Sequence, residues 1–348
     1  MYGLFMMKYK QPQIIATIRE RIASGVYVKR LPTTLQLAAE FGVNVKTVQK
    51  AIRRLVTAGC LSAKPKSGIC VADNTMNIER ETIEVIFEGY TSLISHPFWS
   101  EIWIGLLDKL CSNGFRPELN MLESDPESGL LKLEAFQCHP VAGRVLLGIS
   151  EQRLFKMLKQ DGTPFIVAGD PVNDIKVPQV SFNFNNGIFD AIKYLREKGH
   201  RNIAFIGLTH TFSDSGFLEK FHAYCDAFQE YAPLNAKLIK DVRPLKGKGY
   251  EAVESLLSNK DLPDAIIAAY DTQVPEIVSL LKKRNLKIPV IGCDGLQLPG
   301  LSPLRPMVVA PLRQCGELAA LNLITAINSR QHVNSKRLSA KFMGLTNQ

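Results

Sequence analysis

From Ile83 onward the chain alternates short apolar runs with amphipathic stretches, and this rhythm limits its folds more than any other feature. TIEVIFEGY, RPELNMLES, GRVLLGI, TPFIVAGD, RNIAFIGLT, AIIAAYD and VIGCDG read as strands. Between them, FWSEIWIGLLDKLCSNG, EQRLFKMLKQDG, NGIFDAIKYLREKGH, GFLEKFHAYCDAFQEYA and VPEIVSLLKKRN read as helices. Strands that are continuously apolar must be covered on both faces, which predicts an α/β class built on doubly wound parallel sheets. In such folds ligands sit outside the carboxyl ends of the strands.

The first fifth of the chain follows another pattern. Ile14, Ile15, Ile18 and Ile22 make a helical stripe over residues 13–24. Leu31-Pro32-Thr33-Thr34 then turns the chain, and either threonine can cap a second helix carrying Leu35, Leu37, Ala38 and Phe41. After Gly42-Val43 a third helix is predicted over residues 44–59. Asn44 caps it, Val45, Val48, Ile52 and Leu55 form its apolar side, and Gly59 ends it. Lys46, Thr47, Gln49, Lys50, Arg53 and Arg54 occupy its other faces. Two short helices joined by a Gly-containing turn form a helix-turn-helix. The β-prone runs CLSAK and GICVA add a hairpin, so the unit reads as a winged helix with Lys64 and Lys66 placed for phosphates or a minor groove.

Charge divides the chain at the same place. Residues 1–75 hold seven Lys and five Arg against Glu20, Glu40 and Asp73, so the whole formal excess of +9 lies there. A compact basic segment ahead of an electroneutral body points to a polyanion-binding module joined to a body with another task. The polar stretch DNTMNIERE reads as a linker, giving a head at 8–73, a connector at 74–82 and a body at 83–348. No apolar run approaches the roughly 20 residues of a membrane span, and MYGLFMM is too short and uncharged for a secretory leader, so the expected location is the cytoplasm. The seven cysteines are scattered, and His96, His210, His222 and His332 lack ligand spacing, so no metal or other cofactor is expected. Gly-x-Ser-x-Gly, P-loop, H-E-x-x-H and Gly-rich dinucleotide motifs are absent, which argues against an enzyme.

Two resemblances follow from these residues. Ile14, Ile18, Ile22, Gly25, Leu31-Pro32, Leu37-Ala38, Phe41-Gly42-Val43, Thr47-Val48, Ala51-Ile52, Leu55, Gly59, Leu61, Ser67-Gly68 and Val71 resemble the DNA-binding domain of GntR-type bacterial regulators. That resemblance implies a homodimer reading two half-sites of an operator, with Thr33, Thr34, Asn44, Lys46, Thr47, Gln49, Lys50, Lys64 and Lys66 as the DNA-binding residues. Val45 and Gln49 stand where the family has arginines, and Thr34-Leu35-Gln36 replaces its acidic-Arg-acidic run. An operator unlike the family's usual one is expected, because Arg pairs with guanine whereas Gln suits adenine.

His96-Pro97-Phe98, the run from Lys198 to Gly207 (KGHRNIAFIG), Ala269-Tyr270-Asp271 and Val290 to Asp294 resemble LacI/GalR-type effector domains, which are similar to periplasmic sugar-binding proteins. The resemblance implies two lobes with a small-molecule effector, a carbohydrate, in the cleft between them. It assigns effector binding to Phe98, Trp99, Phe182, Lys220, Tyr270, Asp271 and Asp294. The aromatic residues could equally be core, Asp271 a helix cap and Asp294 structural. Lys220 replaces the family's Arg, Tyr270 its amide, and Pro306-Met307 its Thr-Thr. The expected function is a DNA-binding transcriptional regulator, a repressor answering to that effector; the alternative is a regulator whose sensor has lost ligand binding.

Overall fold

The computed structural model describes residues 11–23, 25–57, 60–64, 68–71, 81–88, 96–125, 128, 130–134, 136–173, 176–209, 218–258, 262–299, 301, 305–329 and 331–344. The expected helix end at Gly59, the hairpin tip with Lys66, and the connector at 74–82 except for Glu81 and Thr82 lie outside them.

The head consists of α1 (Gln11–Ala23), α2 (Thr34–Glu40), α3 (Val45–Thr57) and the antiparallel strands β1 (Leu61–Lys64) and β2 (Gly68–Val71). Ile14, Ile18, Leu37, Val48 and Leu55 lose all solvent contact, each on the helical stripe where its spacing put it. Backbone bonds from Leu31 N to Ile69 O and from Val71 N to Lys29 O lay residues 29–31 along β2. The helix-turn-helix and its wing therefore share one small core.

The body contains two six-stranded sheets. Lobe 1 is built from β3 (Thr82–Glu88), α4 (Pro97–Ser112), β4 (Arg116–Leu122), β5 (Gly143–Leu147), α5 (Gln152–Asp161), β6 (Phe165–Gly169) and β7 (Gln179–Asn183). Thr82, where the expected connector meets the expected strand TIEVIFEGY, begins β3 and is buried. Lobe 2 follows with α6 (Asn185–Glu197), β8 (Ile203–Gly207), α7 (Glu219–Gln229), β9 (Ile239–Asp241), α8 (Lys248–Leu257), β10 (Ala265–Ala268), α9 (Val274–Lys283), β11 (Val290–Gly292) and β12 (Met307–Val309). The chain then returns to lobe 1 with α10 (Leu312–Ser329) and β13 (Lys336–Ser339), and ends in lobe 2 with β14 (Lys341–Met343). Strand orders are β13-β7-β6-β5-β3-β4 and β14-β12-β11-β10-β8-β9. All pairs are parallel except β12 with β14. β7, β9, β12 to β14, α8 and α10 are additional to the elements that the sequence pattern predicts.

Three crossings thus join the lobes, after β7, after β12 and after β13. They meet around Gly187, where a Cβ would stand 2.7 Å from Val308 Cγ1 and 3.0 Å from Ala340 O. Ala340 N donates to Asn183 O at 2.9 Å, which ties the first crossing to the third. Within lobe 1, α4 and α10 run against each other so closely that a Cβ on Gly105 would overlap the Arg313 carbonyl, and one on Gly316 the Ile102 carbonyl. Arg313 also pairs with Asp108 across the two helices.

At the amino ends of the lobe 1 strands a charge is wholly enclosed. Arg144 in β5 is fully buried and donates to Glu84 Oε2, Asp161 Oδ2 and His139 O, each at 2.7 Å. Asn120 Nδ2 donates to the other Glu84 oxygen at 2.7 Å. A buried guanidinium persists only when paired and hydrogen-bonded to this degree. Arg19 of α1 stands 3.8 Å from Asp161 Oδ1, so the head touches lobe 1 beside this network, next to a cavity of about 1200 Å³.

The helix crossing gives a direct test. Replacing Gly105 or Gly316 by Ala should lower stability by about 1–3 kcal/mol through overpacking against backbone. The helix-propensity gain of roughly 1 kcal/mol from Gly to Ala does not offset it, because a carbonyl cannot swing aside as a side chain can. Urea unfolding midpoints check this: each variant should melt earlier than the parent.

Candidate functional site

The third helix presents its polar side outward. Asn44 Oδ1 accepts from Lys46 N at 2.9 Å, which fixes the start of α3. Lys46, Gln49, Lys50 and Arg53, spaced i, i+3, i+4, i+7, are all exposed on one face, with Thr47 and Val45 half-buried beside them. Thr33 is the cap of α2: its hydroxyl accepts from Gln36 N at 3.3 Å, while Gln36 Oε1 accepts from Thr33 N at 2.9 Å. Thr34 starts that helix half-buried. Lys64 closes β1 at the base of the wing.

At the carboxyl ends of the strands, the structure brings Phe98, Phe182, Lys220, Tyr270, Asp271 and Asp294 together. Phe98, in the first turn of α4, meets Phe182 edge-on at 5.8 Å, and Phe182 meets Phe184 at 5.9 Å. Trp99 differs: it touches Phe98 and Phe87, and its ring closes over Gly148 and Gly169, where a Cβ would fall 2.6 and 2.7 Å away. It fills lobe 1 beneath the cleft.

From lobe 2, the two aspartates brace one another's loops. Asp271 Oδ2 accepts from Gly295 N at 3.0 Å and Leu296 N at 2.7 Å, while Asp294 Oδ2 accepts from Asp271 N at 2.8 Å. Asp294 Oδ1 receives Lys220 Nζ at 2.5 Å, and the same ammonium donates to Ala269 O at 2.7 Å. Its nitrogen lies 5.7, 4.8 and 5.1 Å from the ring centroids of Phe98, Phe184 and Tyr270. Arg305 Nη2 stands 3.3 Å from Asp271 Oδ2.

Electrostatics follow from this enclosure. Burial opposes the charged form of Lys220, but Asp294, helped by Cys293 and Asp170, outweighs it and leaves the ammonium harder to deprotonate than usual. Burial, against the pull of Lys220, pushes the Asp170 carboxyl up to about 6. Asp271 is likewise raised by burial and by the Asp294 charge. His96, which precedes α4, is lowered by burial and is neutral near pH 7. His96 Nδ1, Asp271 Oδ1 and Arg305 Nη1 are buried polar atoms without a protein partner.

Phe184, Asp170 and Arg305 escaped the sequence reading. Phe184 had a signal in the Phe182-Asn183-Phe184 alternation, and Asp170 in its place directly after an apolar strand run. Arg305 had none, since its loop carries no periodicity.

Comparison with known proteins aligns with both halves. Residues 10–71 match the family described as bacterial regulatory proteins, gntR family, and residues 90–344 match periplasmic binding proteins and sugar binding domain of LacI family. Catabolite control protein A of Priestia megaterium is 24% identical over 323 residues, covering 87% of this chain and 94% of its own. A solved complex described as transcriptional regulator CelR with cellobiose superposes with a TM-score of 0.65 at 21% identity, over 90% of this chain and 98% of its own. A LacI family transcriptional regulator from Enterococcus faecium with bound ribose gives 0.60 at 22%, over 75% and 96%.

The raised Asp170 makes a pH-dependent prediction. A carboxyl that holds its proton more tightly when folded costs stability as pH rises from its unfolded value near 3.8 through about 6, and the full cost applies above that. Asp170→Asn should therefore raise the thermal midpoint at pH 8 and leave it unchanged below about pH 4. Melting curves of both proteins across that range read the difference directly.

Proposed function

We propose, from the premise that this chain belongs to the family of periplasmic binding proteins and LacI-type sugar-binding domains, that a carbohydrate entering the cleft resets how its winged head grips operator DNA. The chain is a DNA-binding transcriptional regulator and not an enzyme. Its working units in this reading are the head at 8–73, the connector at 74–82 and the sensor at 83–348. The observation that carries it is the convergence of Phe98, Tyr270, Asp271, Asp294 and Lys220 at the strand ends on either side of a three-crossing hinge. Aromatic faces and carboxylates suit the apolar and hydroxyl sides of a sugar ring. The sugars bound by the two similar regulators support the class of ligand. An effector shifts DNA affinity only if it binds one lobe arrangement better than the other.

In the head, Lys46, Gln49 and Lys50 read bases, while Thr33, Thr34, Asn44, Thr47, Lys64 and Lys66 hold the backbone. Two heads on one operator require a homodimer of repressor subunits. Ile104 on α4, with Leu119 and Met121 on the edge strand β4, is an exposed apolar set on lobe 1 suited to pairing. A second reading, a sensor without a ligand, is favoured by one observation: Phe98, Phe182, Lys220, Asp271 and Asp294, which should face a sugar, are 0–6% exposed, while Tyr270 is half-buried.

Three measurements separate these statements. With monosaccharides and short glycans, the thermal midpoint should climb steadily with the concentration of the right sugar. A flat response to every sugar would favour the second reading. Lys46→Ala combined with Gln49→Ala should cost about 1–3 kcal/mol on the best operator and relax sequence preference at fixed salt. Unchanged preference would move base reading elsewhere. Leu119→Glu with Met121→Glu should shift sedimentation from dimer toward monomer without altering the fold.

A further inference from the structure

The strand ends at the cleft enclose an ammonium ion, and the ammonium is the protein's own. Lys220 Nζ is held by Asp294 Oδ1 at 2.5 Å and Ala269 O at 2.7 Å, and three rings stand within 4.8 to 5.7 Å of it. The rings come from different bodies: Phe98 from lobe 1, Phe184 from the first crossing and Tyr270 from lobe 2. Cations bind aromatic faces at such distances, most strongly where water is excluded. Here Phe98 is 5% exposed, Phe184 0% and Lys220 6%, so those two contacts are dry, while Tyr270 closes the third side half-buried. Asp170, at the end of β6 in lobe 1, adds a second carboxyl whose charge acts on the same ammonium. One residue earlier, Glu219 pairs at 2.5 Å with Arg337 of β13, and Arg337 also donates to Phe182 O at 3.0 Å, clamping the start of α7 to lobe 1.

A neutral sugar sits poorly in this box. Moving Lys220 aside would leave the buried Asp294 carboxylate with no countercharge, and hydroxyl hydrogen bonds do not replace an ion pair in a dry site. A ligand bringing its own cation would keep the charge balanced and inherit all three rings. Building on the cleft reading above, we propose that this site recognises an ammonium group, supplied by Lys220 when the cleft is empty of effector and by an amine-bearing effector, such as an amino sugar, that displaces it.

Chemical rescue tests the proposal in the full-length chain. Lys220→Ala should lower the thermal midpoint, and n-propylammonium chloride, the severed part of the side chain, should restore it by several degrees in a saturable manner. n-Propanol and sodium chloride at equal concentration should have no such effect, and the parent protein should not respond. Lys220→Ala with Asp294→Asn should lose the response to the amine, because the charge it would pair with is gone. Should Lys220→Ala not fold, the comparison of sugars on the parent protein carries the test. On the parent protein, glucosamine should stabilise at a concentration at least tenfold below that needed for glucose. Equal rescue by propanol, no rescue by the amine, or equal potency of glucosamine and glucose on the parent overturns the ammonium site. In that event, stabilisation of the parent by neutral sugars would leave the carbohydrate-sensor reading standing, and its absence would remove that as well.

Discussion

Three passages of one chain between two sheets are the constraint on which the rest of the body depends. Because β7, β12 and β13 each hand the chain across, neither lobe is covalently complete without the other: lobe 1 borrows α10 and β13 from beyond lobe 2, and lobe 2 borrows β14 from beyond lobe 1. The lobes can therefore turn about the crossings but cannot part. The contacts of Gly187 with Val308 and Ala340, and the bond from Ala340 N to Asn183 O, hold the three passages in one bundle. Motion between domains is absorbed by a few residues at element ends, which is what this bundle contains.

The same arrangement explains the chemistry of the cleft. Parallel strands leave their carboxyl ends facing the gap, so the first few residues after a strand become a wall of it: Asp170 directly after β6, Asp271 three residues past β10 and Asp294 two past β11. Three carboxylates in a dry site repel one another, and the site answers with Lys220 and Arg305. In the loop-to-loop exchange between Asp271 and Asp294, each carboxylate uses one oxygen on backbone and keeps the other off it. The opposite end of lobe 1 solves its charge problem without an opening, by enclosing Arg144 between Glu84 and Asp161.

The head and the central strands were legible in the sequence because burial there follows simple periods. Ile14, Ile18, Val48 and Leu55 sit on helical stripes, and GRVLL, FIVAG and IAFIG are buried at every position. The later elements were not. β12 and β14 are three residues long, and α10 buries Cys315, Gly316, Ala319 and Ala320, whose smallness weakens any apolar stripe although it is what lets α4 come so near. In the cleft, the residue types were readable but their partners were not: nothing in the sequence says that Lys220 turns inward to Asp294, or that Trp99 points beneath the cleft while Phe98 points into it. Those choices depend on contacts between residues far apart in the chain.

The helix crossing at Gly105 and Gly316 has a mechanical side. Two helices in backbone contact, with no side-chain layer between them to yield, form a single stiff bar. One end of that bar carries Phe98 against the ammonium box, and α10 enters it straight from the second crossing. α4 is 16 residues long, about 24 Å, so a tilt of about 5° at the Phe98 end displaces the far end by about 2 Å. Ile104 rides midway along it on the outer surface. Any tilt of that bar would therefore move the wall of the cleft and the flank of lobe 1 together.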